Sequence, residues 1–569
     1  MRYELIGNND IHNIINTILK NRGISDPDRY LNLSEDCICD WNNLDNIQKA
    51  VECFAAHFEK GDDISILVDC DPDGYSSAAM MYQYIKLMQE DYPVHYMIHQ
   101  RPKSHGLSDN DYDISDNTKL IIVPDAGTND SENCNTLIES GIDVIILDHH
   151  LQDRKNNKAI IVNNQISENY SNKDFCGAGV TYEFLRALDE YYWQDCSDTF
   201  LDLVAFGNIS DVMDLRNLST RYYVNSGLQE IKNKALSAMI EAQSYSMKNE
   251  VNIHNISWYV TPIFNAMIRI GSFEERSLLF QAFIEEYEEF DYKKRGGEVI
   301  KENIYDRAAR LCKNAKSRQD KMRDKLFAEL IDKADKDDKV VMIQADKADS
   351  GIIGLSCMKL ADSIKRPSIV VKQVEKNGEV ILGGSGRNFD NSPIEDFKSV
   401  IIDTGLFELC SGHANAMGVQ IFPENFEKAQ EAFNENLKDI EYSPVHICDF
   451  ILDVDELSIP FIQEIHSARW IWCTGIKEPK IAITDIVIKR EDINVQGKDF
   501  NSVAFIINDI KYVMFKMDET DPLLEWASSW DNDDSEITIN AVVEVGLNEY
   551  KGLYTPQCII QDYEITAQN

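Results

Sequence analysis

The 569-residue chain reads as an α/β protein with two α/β regions, a helical stretch between them and a β-rich region after them. Three observations predict this. From about residue 60 to 165, short apolar runs alternate with amphipathic segments such as Ala78–Gln89, the βαβ signature of a mostly parallel sheet. A second α/β region opens at Val340-Val341-Met342-Ile343 and continues through Ser368–Val371 and Val380–Leu382. From about 440 onward the runs alternate apolar and polar, as in Ile481–Ile488, Val503–Ile507 and Val542–Leu547, which fits a barrel.

In chain order, residues 1–50 read as a helical lead-in, with Ile11, Ile14, Ile15, Ile18 and Leu19 at helical spacing. The first α/β region extends over 51–230 and ends in helices from 176 onward. Residues 231–335 form a helical connector, with Gly296-Gly297 as its expected break. The second α/β region covers 336–438 and the β-rich region 439–569, the latter interrupted by an acidic loop from Asp518 to Glu536. So long a chain exceeds one core and implies about three or four domains.

Composition excludes several classes. No apolar run is long enough to span a bilayer, and the first residues open no apolar signal region, so a cytoplasmic location without a membrane partner is expected. Thirteen scattered cysteines with no CxxC pair read as reduced thiols, not as a disulfide or zinc framework. The net charge of -41 opposes a polyanionic ligand, whereas nucleic-acid proteins normally carry a basic footprint. One island runs against the trend: Lys293 to Lys325 holds twelve Lys or Arg against five Asp or Glu. It is either an electrostatic footprint or a solvated helix face.

The chemistry concentrates at strand tips. Ile64–Val68 ends in Asp69, Asp71 and Asp73, with Gly74 directly after; Leu120–Val123 ends in Pro124-Asp125-Ala126-Gly127; Val144–Leu147 ends in Asp148-His149-His150; and Asp211 follows a helical stretch. In an open α/β sheet ligands gather beyond the carboxyl ends of the strands. Crowded carboxylates are costly without a cation, and an oxygen-rich set with imidazole suits Mn²⁺ or Mg²⁺. In the second region, Gly383-Gly384-Ser385-Gly386-Arg387 reads as a glycine-rich turn able to offer backbone N–H groups and a guanidinium to a phosphate.

Asp69-Cys70-Asp71-Pro72-Asp73-Gly74, Asp125-Ala126-Gly127, Asp148-His149-His150 and Asp211 resemble the four motifs of the DHH phosphoesterase superfamily. Arg101–Leu107, Cys176-Gly177-Ala178-Gly179-Val180, Pro262 with Asn265-Ala266, Gly384–Arg387, Ser411–Gly418 and Asn548–Gly552 with Pro556-Gln557 narrow the likeness to RecJ-like single-strand-specific exonucleases. The resemblance covers nearly the whole chain in order. It implies a DHH domain at 51–230 and a DHHA1 domain at 336–438 flanking a cleft, with the helices between them as a bridge and an OB-like barrel at 439–569. There are departures: Asp349-Ser350-Gly351 stands for His-x-Gly, Ile268-Arg269 for Gly-Arg, Asn163-Asn164 for Asn-Pro, and Ser411 and Ala126 replace expected residues.

The resemblance also implies roles. Two divalent cations are held by Asp69, Asp71, Asp73, Asp125, His149 and Asp211, with Asp125 bridging. His150 assists the leaving oxygen, and Asp148 orients a histidine. Arg101, Gly384, Ser385, Gly386 and Arg387 line a pocket for a terminal 5′ phosphate, while His413 approaches the scissile group. The implied activity is 5′-to-3′ hydrolysis of single-stranded DNA to mononucleotides, in repair, recombination or replication. The implied partners are single-stranded DNA with a 5′ end and a single-strand-binding protein or helicase, with the enzyme a monomer. Two rivals stand beside it. A phosphodiesterase for short oligoribonucleotides or cyclic dinucleotides typically lacks residues such as 440–569; a non-catalytic replication scaffold would show decayed ligands, and none is missing here.

Overall fold

The computed structural model describes residues 1–568 apart from 103, 154–157, 295, 377, 530–534 and 551. Lys103, Arg295, Lys551 and part of the acidic loop therefore lie outside the described residues. The chain divides into two compact units, one of residues 29–320 with 473–475, the other of residues 1–28, 321–472 and 476–569. The expected lead-in is thus split at residue 28, and it opens with a strand, Arg2–Leu5, that pairs in parallel with Val445–Cys448.

The first unit is built on a five-stranded parallel sheet. Its strands are β1 (Asp63–Val68), β2 (Val94–Ile98), β3 (Thr118–Pro124), β4 (Asp143–Asp148) and β5 (Ile160–Asn163), in spatial order β2-β1-β3-β4-β5. Strands covered on both faces carry continuous apolar runs, and β1, β3 and β4 are buried along nearly their whole length. The chain reverses its direction of growth between β1 and β3, the position where an open sheet forms its crevice. Helix α1 (Ile47–Phe58) precedes β1, and α2 (Pro72–Met88) follows it through the sheet's core. The helices α3 (Gly177–Tyr192) and α4 (Leu201–Ser210) pack onto α2.

Part of the expected helical connector is a hairpin instead, β6 (Glu289–Lys293) and β7 (Val299–Asn303). Gly297, at φ +89°, sits in its turn, so the glycine pair ends a strand and not a helix. Helix α5 (Ile304–Ile331) follows. The basic island is largely spent within this fold. Arg310 pairs with the buried Glu302 through two hydrogen bonds of 2.7 Å and stacks on Tyr292. Arg307 covers the Phe290 ring, Lys313 reaches the Ala242 carbonyl, and Arg318 meets Glu275.

The second unit holds a mixed five-stranded sheet of β8 (Val341–Gln344), β9 (Ser368–Lys376), β10 (Glu379–Arg387), β11 (Phe407–His413) and β12 (Ala416–Ile421), ordered β11-β12-β10-β9-β8. Helix α6 (Ile353–Ile364) packs on β9 and β10. A separate seven-stranded sheet is made of β13 (Phe450–Asp453), β14 (Lys480–Lys489), β15 (Asn494–Gln496), β16 (Ser502–Ile507), β17 (Ile510–Met514), β18 (Glu536–Tyr550) and β19 (Leu553–Gln568), ordered β13-β14-β18-β19-β17-β16-β15. Among the described residues no pair joins its two edges, so the expected closed barrel is an open sheet. Register shifts in β14, β18 and β19 bend the long strands locally.

Candidate metal centre

All the predicted carboxylates of the first unit gather at one edge of its sheet, because β1, β3 and β4 run in parallel and end together. Asp71 caps α2: its Oδ1 accepts from Gly74 N at 2.8 Å, with Pro72 in the first helical turn. The segment is therefore a helix start, which returns Asp73 to the pocket. Gly74 allows the close approach, since a Cβ there would lie 2.6 Å from that of Asp69.

Asp73 is buried and docks on the amino end of α3, accepting from Gly177 N at 2.7 Å and Ala178 N at 2.8 Å. Unpaired amides and the helix dipole favour a negative group there. Asp125 follows β3 with a left-handed backbone, φ +64°, which turns its carboxylate into the pocket. His149 Nε2 lies 3.2 Å from Asp125 Oδ1, 3.5 Å from Asp211 Oδ2 and 3.9 Å from Asp73 Oδ2. The nearest of these approaches lacks hydrogen-bond alignment, so Asp125 Oδ1 is buried without a hydrogen-bond partner among the described residues. Asp211 enters from the carboxyl end of α4.

At this edge, among the described residues, three groups of side chains bring their ligand atoms within 4.8 Å of one another: Asp73, His149 and Asp211; Asp69, Asp71 and Asp125; and Asp125, His149 and His150. Asp125 and His149 each occur in two of them. Electrostatics agrees with a cation site. Burial first, then the neighbouring carboxylates, raises Asp71 to about 6 and Asp211 to about 8, and lifts Asp125 well above the usual carboxylate range. His149 is pushed down, chiefly by burial, toward the neutral ring that ligates metals. An orphaned carboxylate oxygen among acids driven toward protonation fits Mn²⁺ or Mg²⁺, both of which prefer oxygen donors.

Asp148 orients His150, not the His149 of the first group: its Oδ1 takes His150 Nδ1 at 2.7 Å, and it also accepts from the backbone of His149, His150 and Thr128. Burial opposes its charge, yet these bonds hold it below the usual range, and they raise His150 in turn despite burial. Asp69 is committed to His105 Nδ1 and Gly106 N, each at 2.8 Å. Burial disfavours a charge on His105, but Asp69 overrides it and raises the imidazole to about 10. The sequence assigns no role to His105; its one signal is its place in the Arg101–Leu107 segment. Arg101 is not open to the pocket's ligands alone: its Nε binds Asp111 at 3.0 Å. The buried Arg276 holds the same loop through the carbonyls of His99 and Gln100.

The predicted residues of the second unit form their own neighbourhood. Gly383–Arg387 is not a turn but the end of β10, a central strand paired to β9 and β12, so its amides are taken by the ladder. Gly384 is glycine because a Cβ would strike the Val370 carbonyl, whereas a Cβ on Gly386 would lie 2.7 Å from the movable Met417 sulfur. Ser385 and Arg387 both face the start of α6: a Cβ on Gly354 would stand 3.4 Å from Ser385 Oγ and 2.7 Å from Arg387 Nη2. Among the described residues no carboxylate pairs with Arg387, and burial lowers its pKa. His413 is exposed at the end of β11.

Known proteins share sequence and fold with this chain. Residues 63–208 match the DHH family, N-terminal domain. YorK of Bacillus subtilis, provisionally named an SPbeta prophage-derived single-strand DNA-specific exonuclease, is 36% identical over 574 residues, covering 99% of this chain and 98% of that protein. The single-stranded-DNA-specific exonuclease RecJ of the same organism is 23% identical, over 92% of this chain and 64% of its own length. RecJ of Thermus thermophilus, solved in complex with Mg²⁺, shares the fold with a TM-score of 0.70 at 15% identity, covering 99% of this chain and 78% of that one. The chain belongs to the RecJ-like single-strand DNA-specific exonucleases of the DHH family.

Proposed function

We propose that this chain is a 5′-to-3′ exonuclease that hydrolyses single-stranded DNA to 5′-mononucleotides with two bound divalent cations, Mn²⁺ or Mg²⁺, in DNA repair, recombination or replication. The observation that carries it is the sharing of Asp125 and His149 between groups of ligand atoms lying within 4.8 Å of one another. Family membership supplies the reaction class, phosphodiester hydrolysis. When bound, such ions activate water and neutralise phosphoryl oxygens.

In this reading Asp73, His149 and Asp211 would hold one ion and Asp71 and Asp125 the other, with Asp69 beside them. His150, whose Nδ1 is fixed by Asp148, presents Nε2 and donates a proton to the leaving oxygen. Ser385 and Arg387 anchor the terminal 5′ phosphate: among the described residues the guanidinium has no carboxylate partner, and it faces the amino end of a twelve-residue helix. Gly384 lets the Val370 backbone approach and Gly386 leaves room for the Met417 side chain, Arg101 reinforces the loop it shares with His105, and His413 is left exposed for a substrate contact. Residues 336–438 act as the DHHA1 domain, and the seven-stranded sheet of 439–569 as an OB-like surface for the strand.

Digestion of single strands labelled at either end, with chelator and with Mn²⁺, tests the proposal. Mn²⁺-dependent release of mononucleotides from the 5′ end first is the expected result. Activity in excess chelator would remove the metal mechanism, and early release from the 3′ end would reverse the direction.

A further inference from the structure

Three potential ligands meet at the amino edge of the parallel sheet, the edge opposite the carboxylate cluster. Cys53 and His57 stand four residues apart on α1 and so project from one face. Asp143 is the first residue of β4, the strand that ends in Asp148, so the two edges are about 17 Å apart at 3.3–3.4 Å per residue. The Cys53 thiol sulfur, a ring nitrogen of His57 and a carboxylate oxygen of Asp143 lie within 4.8 Å of one another.

His57 makes the arrangement informative. Its Nδ1 is 2.8 Å from Asp62 Oδ2 and its Nε2 is 3.0 Å from Asp143 Oδ2. A neutral imidazole donates through one nitrogen only. If Nδ1–H serves Asp62, the Nε2 lone pair points at a carboxylate, which requires a second ring proton or a cation between them. Carboxylate, histidine and metal in series is the usual way a ligating imidazole is oriented. An ion pair would need no thiol, yet Cys53 completes the group. Tetrahedral zinc bond lengths set ligand atoms about 3.3–3.6 Å apart, so the 3.0 Å gap needs to open by only a few tenths of an ångström.

We propose that Cys53, His57 and Asp143 form a second metal site that takes Zn²⁺ or a similar thiolate-binding divalent cation, with Asp62 orienting the imidazole and solvent in the fourth position. Binding displaces the thiol proton to solvent. Burial and Asp143 push the Cys53 thiol up to about 11, so it stays protonated until a metal enters. The ion ties the last turn of α1 and the turn before β1 to the start of β4. A sulfur ligand separates its preference from that of the oxygen-rich nuclease centre. The ligands Cys53 and His57 are i and i+4, and Asp143 lies 86 residues further on; this is not a finger spacing, so counting cysteine pairs passes over it.

Cobalt titration of the full chain, with excess Mg²⁺ present, tests this. A thiolate-to-cobalt charge-transfer absorption should appear, saturate at one equivalent and be displaced by Zn²⁺. It should vanish in Cys53→Ser and persist in Cys176→Ser, the buried thiol beside Asp73. Asp143→Asn, at a side chain that is 61% exposed, should keep the fold and weaken cobalt binding by about tenfold or more. Zn²⁺ should raise the Tm of the wild type but not of Cys53→Ser, while Mg²⁺-dependent nuclease activity stays equal in both. An absent absorption with unchanged Tm would show only a histidine hydrogen-bonded between two carboxylates and overturn the site. An absorption that survives Cys53→Ser would overturn it as well.

Discussion

The backbone N–H of Gly177 donates to Asp73 Oδ2 at 2.7 Å, while a Cβ on the same glycine would collide with the side chain of Asp125. One residue therefore fixes the approach of two carboxylates from two different strand tips.

Gly177→Ala should move Asp125 without removing any ligand. Overpacking of this kind costs about 1–3 kcal/mol, so the variant should remain folded by circular dichroism. Calorimetry should show weakened Mn²⁺ binding, and hydrolysis should fall with it. Undiminished Mn²⁺ affinity would show that Asp125 tolerates displacement.

Stability of the metal-free protein should depend on pH through Asp211 and Asp71. Their folded-state values are raised, to about 8 and about 6, so the folded state binds more protons than the unfolded one over that range. The contribution is complete below the ordinary carboxylate range and is lost as pH rises toward 8. Chelator-treated wild type should therefore lose Tm between pH 5 and pH 8 relative to Asp211→Asn, and a saturating divalent cation should shrink the difference. Parallel Tm curves in chelator would contradict the assigned shift.

The strand tips were legible because a strand buried on both faces reads as an unbroken apolar run, and an acid directly after such a run stands at the sheet's carboxyl edge. Ile64–Val68, Leu120–Val123 and Val144–Leu147 all behave this way. Gly383–Arg387 was misread because glycine signals a turn locally, while here it answers the passage of the Val370 carbonyl, a contact fixed only in the folded chain. His105, held by Asp69, and the open seven-stranded sheet depend likewise on distant partners.

Arg310→Gln tests how the basic island is used. Removing the guanidinium leaves Glu302, 8% exposed, without its partner, and breaking such a pair costs up to about 3–5 kcal/mol when fully buried. A lower Tm is expected, with little change in the salt dependence of single-strand binding. A DNA contact would instead reduce the salt slope by about 0.7.

Arg387→Ala should abolish the preference for 5′-phosphorylated over 5′-hydroxyl strands while leaving Mn²⁺ binding unchanged. Arg387→Lys should restore the preference only in part, since an ammonium lacks the planar fork. Comparing initial rates on the two kinds of end measures this. A preference that survives Arg387→Ala would move the phosphate anchor elsewhere.

The parallel pairing of Arg2–Leu5 with Val445–Cys448, reinforced by Arg22 on Asp449, sets an order of events during synthesis. The partner strand is made more than 400 residues after the first one. At 5–20 residues per second, residues 2–5 wait roughly 20–90 s for it, while residues 29–320 emerge in between and are free to fold first. A short strand with both its edges unpaired for that long is exposed to wrong partners. Residues 2–5 therefore act as a late latch, closed only once residue 448 has been made.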